Sequence, residues 1–268
     1  MTVAKRILVT GGTGPLGRAV VDRLAAHGHE VRAVSRHAPT RGEPRAFTWM
    51  AVDLLGGEVP ESVVGGVDTI VHCASGRRGD VEAARNLIAG ARRAGGPHLV
   101  YISIVGIDRV PFSYYRAKLE VERLIADSGL PWTVQRATQF HDLMLSACQL
   151  LARSPVMPVP AATSFQPIDV RDVADHLVEL ALAAPAGRVP DIGGPQVLST
   201  RELARSYLRA ARRYRLVLPV PFPGPVFAGY RGGGQLAPDH AVGRITFEQF
   251  LAERAAATGD RKAQVTPR

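Results

Sequence analysis

Short apolar runs alternate with segments of helical period through the first half of the chain. Residues 6–10, 30–35, 47–52, 69–73, 98–103 and 132–136 read as strands. Several of these runs are apolar almost throughout, as strands covered on both faces should be. Between them, residues 15–27, 80–94 and 114–128 read as helices with one apolar face. Gly28, Gly95 and Gly129 follow those helices, where a residue able to turn left-handed is wanted. Strand and helix in alternation predict an α/β fold with a parallel, doubly wound sheet.

The second half is less regular. Residues 141–151 read as a helix, 165–170 as a strand, 172–183 as a helix, 190–194 as a turn and 200–212 as a helix. A proline-rich stretch, 219–225, and the glycines at 232–234 read as connections in a smaller lobe, and the end around Pro267 as frayed. No internal repeat is visible. The expected division is residues 1–153, carrying most of the sheet, and 154–268, completing it and adding a small C-terminal substrate lobe, both parts of one integrated domain.

Chemistry enters at the first strand-to-helix junction. Thr10 ends the strand and the helix opens near Pro15, with Gly11, Gly12 and Gly14 between them and Gly17 in the first turn. A glycine at 11 allows a tight turn, one at 14 lets a pyrophosphate approach the backbone, and one at 17 lets helix and strand pack closely. The helix N-terminus then presents amide groups and a favourable dipole to the phosphates. Pro15 suits the first helical position, whose N–H would be unpaired anyway. This is a Rossmann-type dinucleotide loop, with Gly11, Thr13, Gly14, Pro15, Leu16 and Gly17 as its candidate contacts.

The second strand chooses the cofactor. An acid at its tip would take the ribose 2′-hydroxyl of NAD. The chain instead has Ser35 and Arg36, with Arg41 as a second cation nearby. A guanidinium suits a 2′-phosphate, so the expected cofactor is NADP(H). Asp53 and Leu54 after the third strand, and Ala74 and Ser75 after the fourth, are expected to flank the adenine and its ribose.

Charge and composition narrow the partners. The 268 residues are 46% hydrophobic and carry a formal net charge of +9. That charge comes from arginine, the lysines being Lys5, Lys118 and Lys262, and it is scattered without a basic block or zinc-finger pattern. Nucleic-acid binding is therefore not expected, while an anionic cofactor benefits from the positive field. Two isolated cysteines, Cys73 and Cys148, suggest neither a disulfide framework nor a metal site. No apolar stretch reaches the ~18 residues of a membrane span, and no secretory signal is evident. The expectation is a cytoplasmic protein with a small-molecule substrate and no membrane partner, monomer or homodimer being left open.

Beyond the loop, the stretches 79–86, 98–106, 128–136, 169–174, 191–195 and 243–250 resemble the short-chain dehydrogenases/reductases, in particular their atypical, NmrA-like branch. The resemblance covers nearly the whole chain. It is specific for fold and cofactor class and poor for substrate. Ser103 closes the fifth strand, and Tyr114 and Lys118 follow at helical spacing i, i+4, so they share a face. The resemblance implies that this Tyr-x-x-x-Lys pair is the acid/base unit. A phenol is a sluggish proton donor at neutrality, and a nearby ammonium makes it a better one. Lys118 would also hold the nicotinamide ribose, and Ser103 would bind the substrate oxygen. Tyr115 competes with Tyr114, and an aromatic pair packing on the sheet would explain both. His141, after the sixth strand, reads either as a proton relay near the nicotinamide or as a polar residue opening a helix.

The reading is an NADPH-dependent oxidoreductase that reduces a small or polycyclic carbonyl compound. A non-enzymatic NADP(H) sensor would use the same loop and leave Tyr114 idle, and a sugar-nucleotide epimerase would use the cofactor transiently.

Overall fold

The computed structural model describes residues 4–36, 46–76 and 78–264, with side chains as far as residue 257. Arg41 lies outside the described residues. The strands are β1 (Arg6–Thr10), β2 (Glu30–Ser35), β3 (Thr48–Ala51), β4 (Thr69–His72), β5 (His98–Ile104), β6 (Trp132–Ala137), β7 (Val156–Pro160), β8 (Ser164–Phe165), β9 (Gly187–Arg188), β10 (Leu198–Ser199) and β11 (Leu216–Val220). The helices are α1 (Pro15–Ala26), α2 (Glu61–Val64), α3 (Asp80–Arg93), α4 (Ser113–Ala126), α5 (His141–Leu151), α6 (Val170–Leu182), α7 (Thr200–Ala210), α8 (Pro225–Arg231) and α9 (Phe247–Gln264). They form two compact units that interleave in sequence. One comprises residues 1–108, 112–136 and 173–190, the other 109–111, 137–172 and 191–268.

The first unit carries the expected doubly wound α/β architecture. Its sheet has seven strands, all parallel, in the order β3-β2-β1-β4-β5-β6-β9. Strands β1, β4 and β5 are the apolar runs of the sequence and are buried almost throughout. On one face, Leu8, Ile70, Leu99 and Tyr101 pack against Leu87, Ile88, Val121 and Ile125 of α3 and α4. After α1 the chain turns at Gly28 with φ +78°, which a side chain would disfavour. The chain runs outward from β1 to β3 and then crosses back to β4 on the other side of β1. That reversal leaves a crevice at the carboxyl ends of β1 and β4, where open α/β sheets bind ligands.

In the second unit β7 and β11 pair in parallel, Val156 opposite Leu216 through Pro160 opposite Val220. Met144, Cys148, Met157, Val159, Leu203, Tyr207, Phe247 and Phe250 form its core. Helix α7 opens with a capping box between Ser199 and Glu202. The structure departs here from the sequence expectation, which includes neither α8 nor β10. The strand expected at 165–170 is only Ser164–Phe165, with an isolated bridge at Ile168, because α6 already begins at Val170. The stretch read as connection from 219 starts inside β11, and β7 was missed with it. Both carry prolines, Pro158, Pro160 and Pro219, which strands tolerate when each is an edge, as in a two-stranded pair. Helix α9 was not expected. No described helix is long and apolar enough to cross a membrane.

A buried ion pair ties α4 to β6 in the first unit. The Arg136 guanidinium is 4% exposed and donates to both Glu122 oxygens, at 2.8 and 2.7 Å, and to Asp108 at 2.9 Å. Burial works against its charge, yet the two carboxylates hold its pKa above the ordinary arginine value. Removing one partner strands a buried charge. Glu122→Gln should therefore lower stability by about 3 kcal/mol in urea unfolding. A loss under ~1 kcal/mol would show that Asp108 alone compensates.

Candidate functional site

The loop after β1 is built by close approach. Thr10 Oγ1 accepts the Ala74 N–H at 3.2 Å and lies 2.7 Å from His72 Nδ1, joining the ends of β1 and β4. Gly11 adopts φ +70°, and a Cβ there would stand 2.7 Å from Ala74 N. A Cβ on Gly17 would stand 2.2 Å from the Gly11 carbonyl oxygen. Gly14 differs: a Cβ would meet only that carbonyl, at 3.3 Å, and otherwise project into open space. Gly14 caps α1 without any side-chain hydrogen bond, Pro15 sits in the first turn, and that turn holds no acidic residue. The amides of Leu16 and Gly17 thus open the helix with its positive dipole end unneutralised, and Thr13 lies exposed beside them. This fits a pyrophosphate, and the open space at Gly14 is where a side chain would intrude on it.

Arg36 is exposed at the tip of β2 and Ser35 is buried beside it. Asp53 spends one carboxylate oxygen on its own turn, accepting Leu55 N–H at 3.1 Å. Leu54 is buried in the core, and its carbonyl accepts from Asn86 at 2.8 Å. Ala74 and Ser75 follow β4 directly.

The acid/base candidates meet at the far side of that same turn. Tyr114, half-buried on α4, places its hydroxyl 2.6 Å from Ser75 Oγ. Ser75 donates to Asp80 Oδ2 at 3.1 Å, so its oxygen accepts from Tyr114. Asp80 Oδ1 accepts the Gly76 N–H at 2.7 Å. Lys118 is buried, its ammonium 3.2 Å from Asp80 Oδ2, 5.2 Å from the centre of the Tyr101 ring and 5.8 Å from that of Tyr114. Burial works against that ammonium, while Tyr101, Tyr114 and Asp80 favour it, and its pKa lies above the ordinary lysine value. Burial also raises Tyr101, to about 12, and lowers His72, to about 3. Tyr115 is turned into the packed side of α4 and is buried. Ser103 Oγ is buried and has no hydrogen-bond partner among the described residues. It stands two residues after Tyr101 on the same strand face, the face that carries Lys118.

The sequence reading did not single out Asp80. As the first residue of α3 it has the sequence signature of any acid opening a helix. Its pairing with Lys118 depends on α3 and α4 lying side by side. His141, in the second unit, is buried, with Nε2 3.0 Å from the Ile245 carbonyl and its ring packed near Phe247 and Phe250. Burial pushes its pKa down. Among the described residues, no group of His, Cys, Asp and Glu is placed to hold a metal.

A family model described as NAD(P)H-binding matches residues 11–184. The chain belongs to this NAD(P)H-binding family. The cofactor of this domain is NAD(P)H. A protein of unknown role from Mycobacterium tuberculosis is 30% identical over 207 residues, 74% of this chain. The match spans only 23% of that longer protein. A (4-alkanoyl-5-oxo-2,5-dihydrofuran-3-yl)methyl phosphate reductase from Streptomyces griseus is 29% identical over 216 residues, covering 77% of this chain and 74% of its own. Among solved structures, an NADPH-dependent quinone oxidoreductase from Escherichia coli, complexed with NADPH, superposes with a TM-score of 0.73. It is 19% identical, covers 94% of this chain and 99% of its own, and shows the shared fold.

The loop geometry separates two glycines. Gly14→Val should weaken NAD(P)H binding by more than ~100-fold while leaving thermal unfolding nearly unchanged, because its side chain would project into the open space before the start of α1. Gly17→Val should destabilise the fold itself, because its side chain meets backbone. Calorimetric titration and melting curves on both variants check this, and normal NADPH binding by Gly14→Val would contradict it.

Proposed function

We propose that the chain is an NADPH-dependent reductase of a small or polycyclic carbonyl compound, with Tyr114 as proton donor and Lys118 holding the nicotinamide ribose. The observation that carries this reading is the Tyr114 hydroxyl, hydrogen-bonded at 2.6 Å to Ser75 beside a buried, charged lysine. A phenol placed next to a fixed ammonium can release a proton to a substrate oxygen. When bound, NADPH supplies the hydride that the carbonyl carbon receives. Lys118 carries three N–H donors; Asp80 takes one and Tyr101 a second, leaving one for a ribose hydroxyl. Ser75 is exposed, so after proton transfer it can pass a solvent proton back to Tyr114. The unsatisfied Ser103 hydroxyl is the proposed donor to the substrate oxygen. The reading assigns no step to His141. The Streptomyces relative, named as the reductase of a small phosphorylated furanone, supports a reductase of a small molecule.

Arg36 supports NADPH over NADH. A charge-assisted contact to a 2′-phosphate contributes ~1.5–3 kcal/mol, so Arg36→Ala should cost roughly tenfold to a hundredfold in NADPH affinity and leave NADH nearly unaffected. Equal titration curves for the two cofactors on the unmutated protein would end the NADPH preference.

Tyr114→Phe should retain NADPH binding and lose ~10²–10⁴-fold in single-turnover reduction of quinones, enones and ketones. Full activity in that variant would remove Tyr114 from the mechanism. An unmutated protein that binds NADPH tightly yet reduces no acceptor would make the chain a dinucleotide sensor.

A further inference from the structure

We propose that Asp80 is the positioning residue of this site: its carboxylate keeps the Lys118 ammonium in place and, through Ser75, sets the direction of the Tyr114 hydrogen bond. Both of its oxygens are engaged. Oδ1 pins the backbone of the turn after β4 through Gly76, while Oδ2 faces the Ser75 hydroxyl and the Lys118 ammonium together. Three separate segments therefore converge on one side chain: the turn after β4, the start of α3 and the middle of α4.

The charge balance around Lys118 singles out this carboxylate. The titratable groups facing the ammonium are Asp80 from α3, Tyr101 from β5, Tyr114 on its own helix, and His72 and Cys73 at the end of β4. Burial drives Tyr101 and Cys73 up to about 12 and His72 down to about 3, so these three are neutral at physiological pH. Asp80 is the group among them that brings a full negative charge. The Lys118 and Asp80 side chains are 4% and 8% exposed, so little water is present to screen or replace the pair. An ammonium so buried without its partner would shed its proton readily. The first turn of α3 adds a dipole that favours the carboxylate.

A purely structural role for Asp80 would need only a hydrogen-bond acceptor for Gly76. The proposal needs its charge, and Asp80→Asn separates the two by keeping shape and acceptor. With three lysines in the sequence, 15N-lysine labelling gives an assignable NMR titration. In the unmutated protein the Lys118 signal should remain that of an ammonium beyond the ~10.4 of an ordinary lysine. In Asp80→Asn it should lose its proton at least about one pH unit lower than in the unmutated protein, and Asp80→Glu should restore it. A second readout rests on Lys118 as a ribose ligand: NADPH affinity of Asp80→Asn should fall about tenfold between pH ~7 and ~10, with the unmutated protein and Asp80→Glu changing less than about threefold. Should Asp80→Asn not fold, Asp80→Ser, which also removes the charge and leaves a hydroxyl acceptor at the start of α3, carries the same expectation. A Lys118 titration in the neutral variant that overlays the unmutated one would overturn the proposal. Unchanged NADPH affinity in Lys118→Ala would instead sink the ribose-ligand reading, and the NMR titration would still decide the role of Asp80.

Discussion

The absence of room at Gly17 governs this structure. Any side chain there would meet the Gly11 carbonyl, so helix α1 can sit against β1 only because that position is bare. A side chain at Gly11 would likewise meet the Ala74 backbone, so the turn after β4 lies against the same loop. These two approaches set the amide end of α1 at the point where the strand order reverses. They also place the Ser75–Gly76 turn, and with it the contacts of Tyr114, Asp80 and Lys118, beside the dinucleotide loop. Sterics at two glycines thus bring the start of α1 and the turn after β4 together.

Charge is distributed with equal economy. The chain relies on arginine nearly everywhere, and its described lysines occupy confined places. Lys5 donates to the carbonyls of Ala181 and Leu182 at the end of α6, at 3.2 and 3.0 Å. Lys118 is enclosed by Asp80 and two tyrosine rings. A compact ammonium suits both places better than a planar guanidinium would. Arg36, in contrast, is exposed, and Arg136 is committed to holding α4 against β6.

The sequence disclosed the sheet and the loop because their signals are local. Apolar runs bounded by glycine mark β1, β4 and β5, and the glycine spacing at 11, 14 and 17 carries its own steric logic. Tyr114 and Lys118 were legible from their spacing on one helix. Asp80 was not, since its significance lies in a contact between neighbouring helices that no spacing encodes. Nor does spacing show that Tyr115 turns inward on α4 while Tyr114 stays half-buried. In the second unit, β7 and β11 are masked by prolines that edge pairing permits, and the burial of His141 depends on Phe247 and Phe250, far along the chain.

The central claim is that one glycine-built junction holds the pyrophosphate while Lys118, anchored by Asp80, reaches the nicotinamide ribose. A crystal structure with NADPH bound tests it most directly. The account predicts phosphate oxygens within hydrogen-bond distance of the Leu16 and Gly17 amides, Arg36 on the 2′-phosphate, and the Lys118 ammonium shared between the ribose diol and Asp80. A dinucleotide whose pyrophosphate lies away from the start of α1, or whose ribose makes no contact with Lys118, would contradict it.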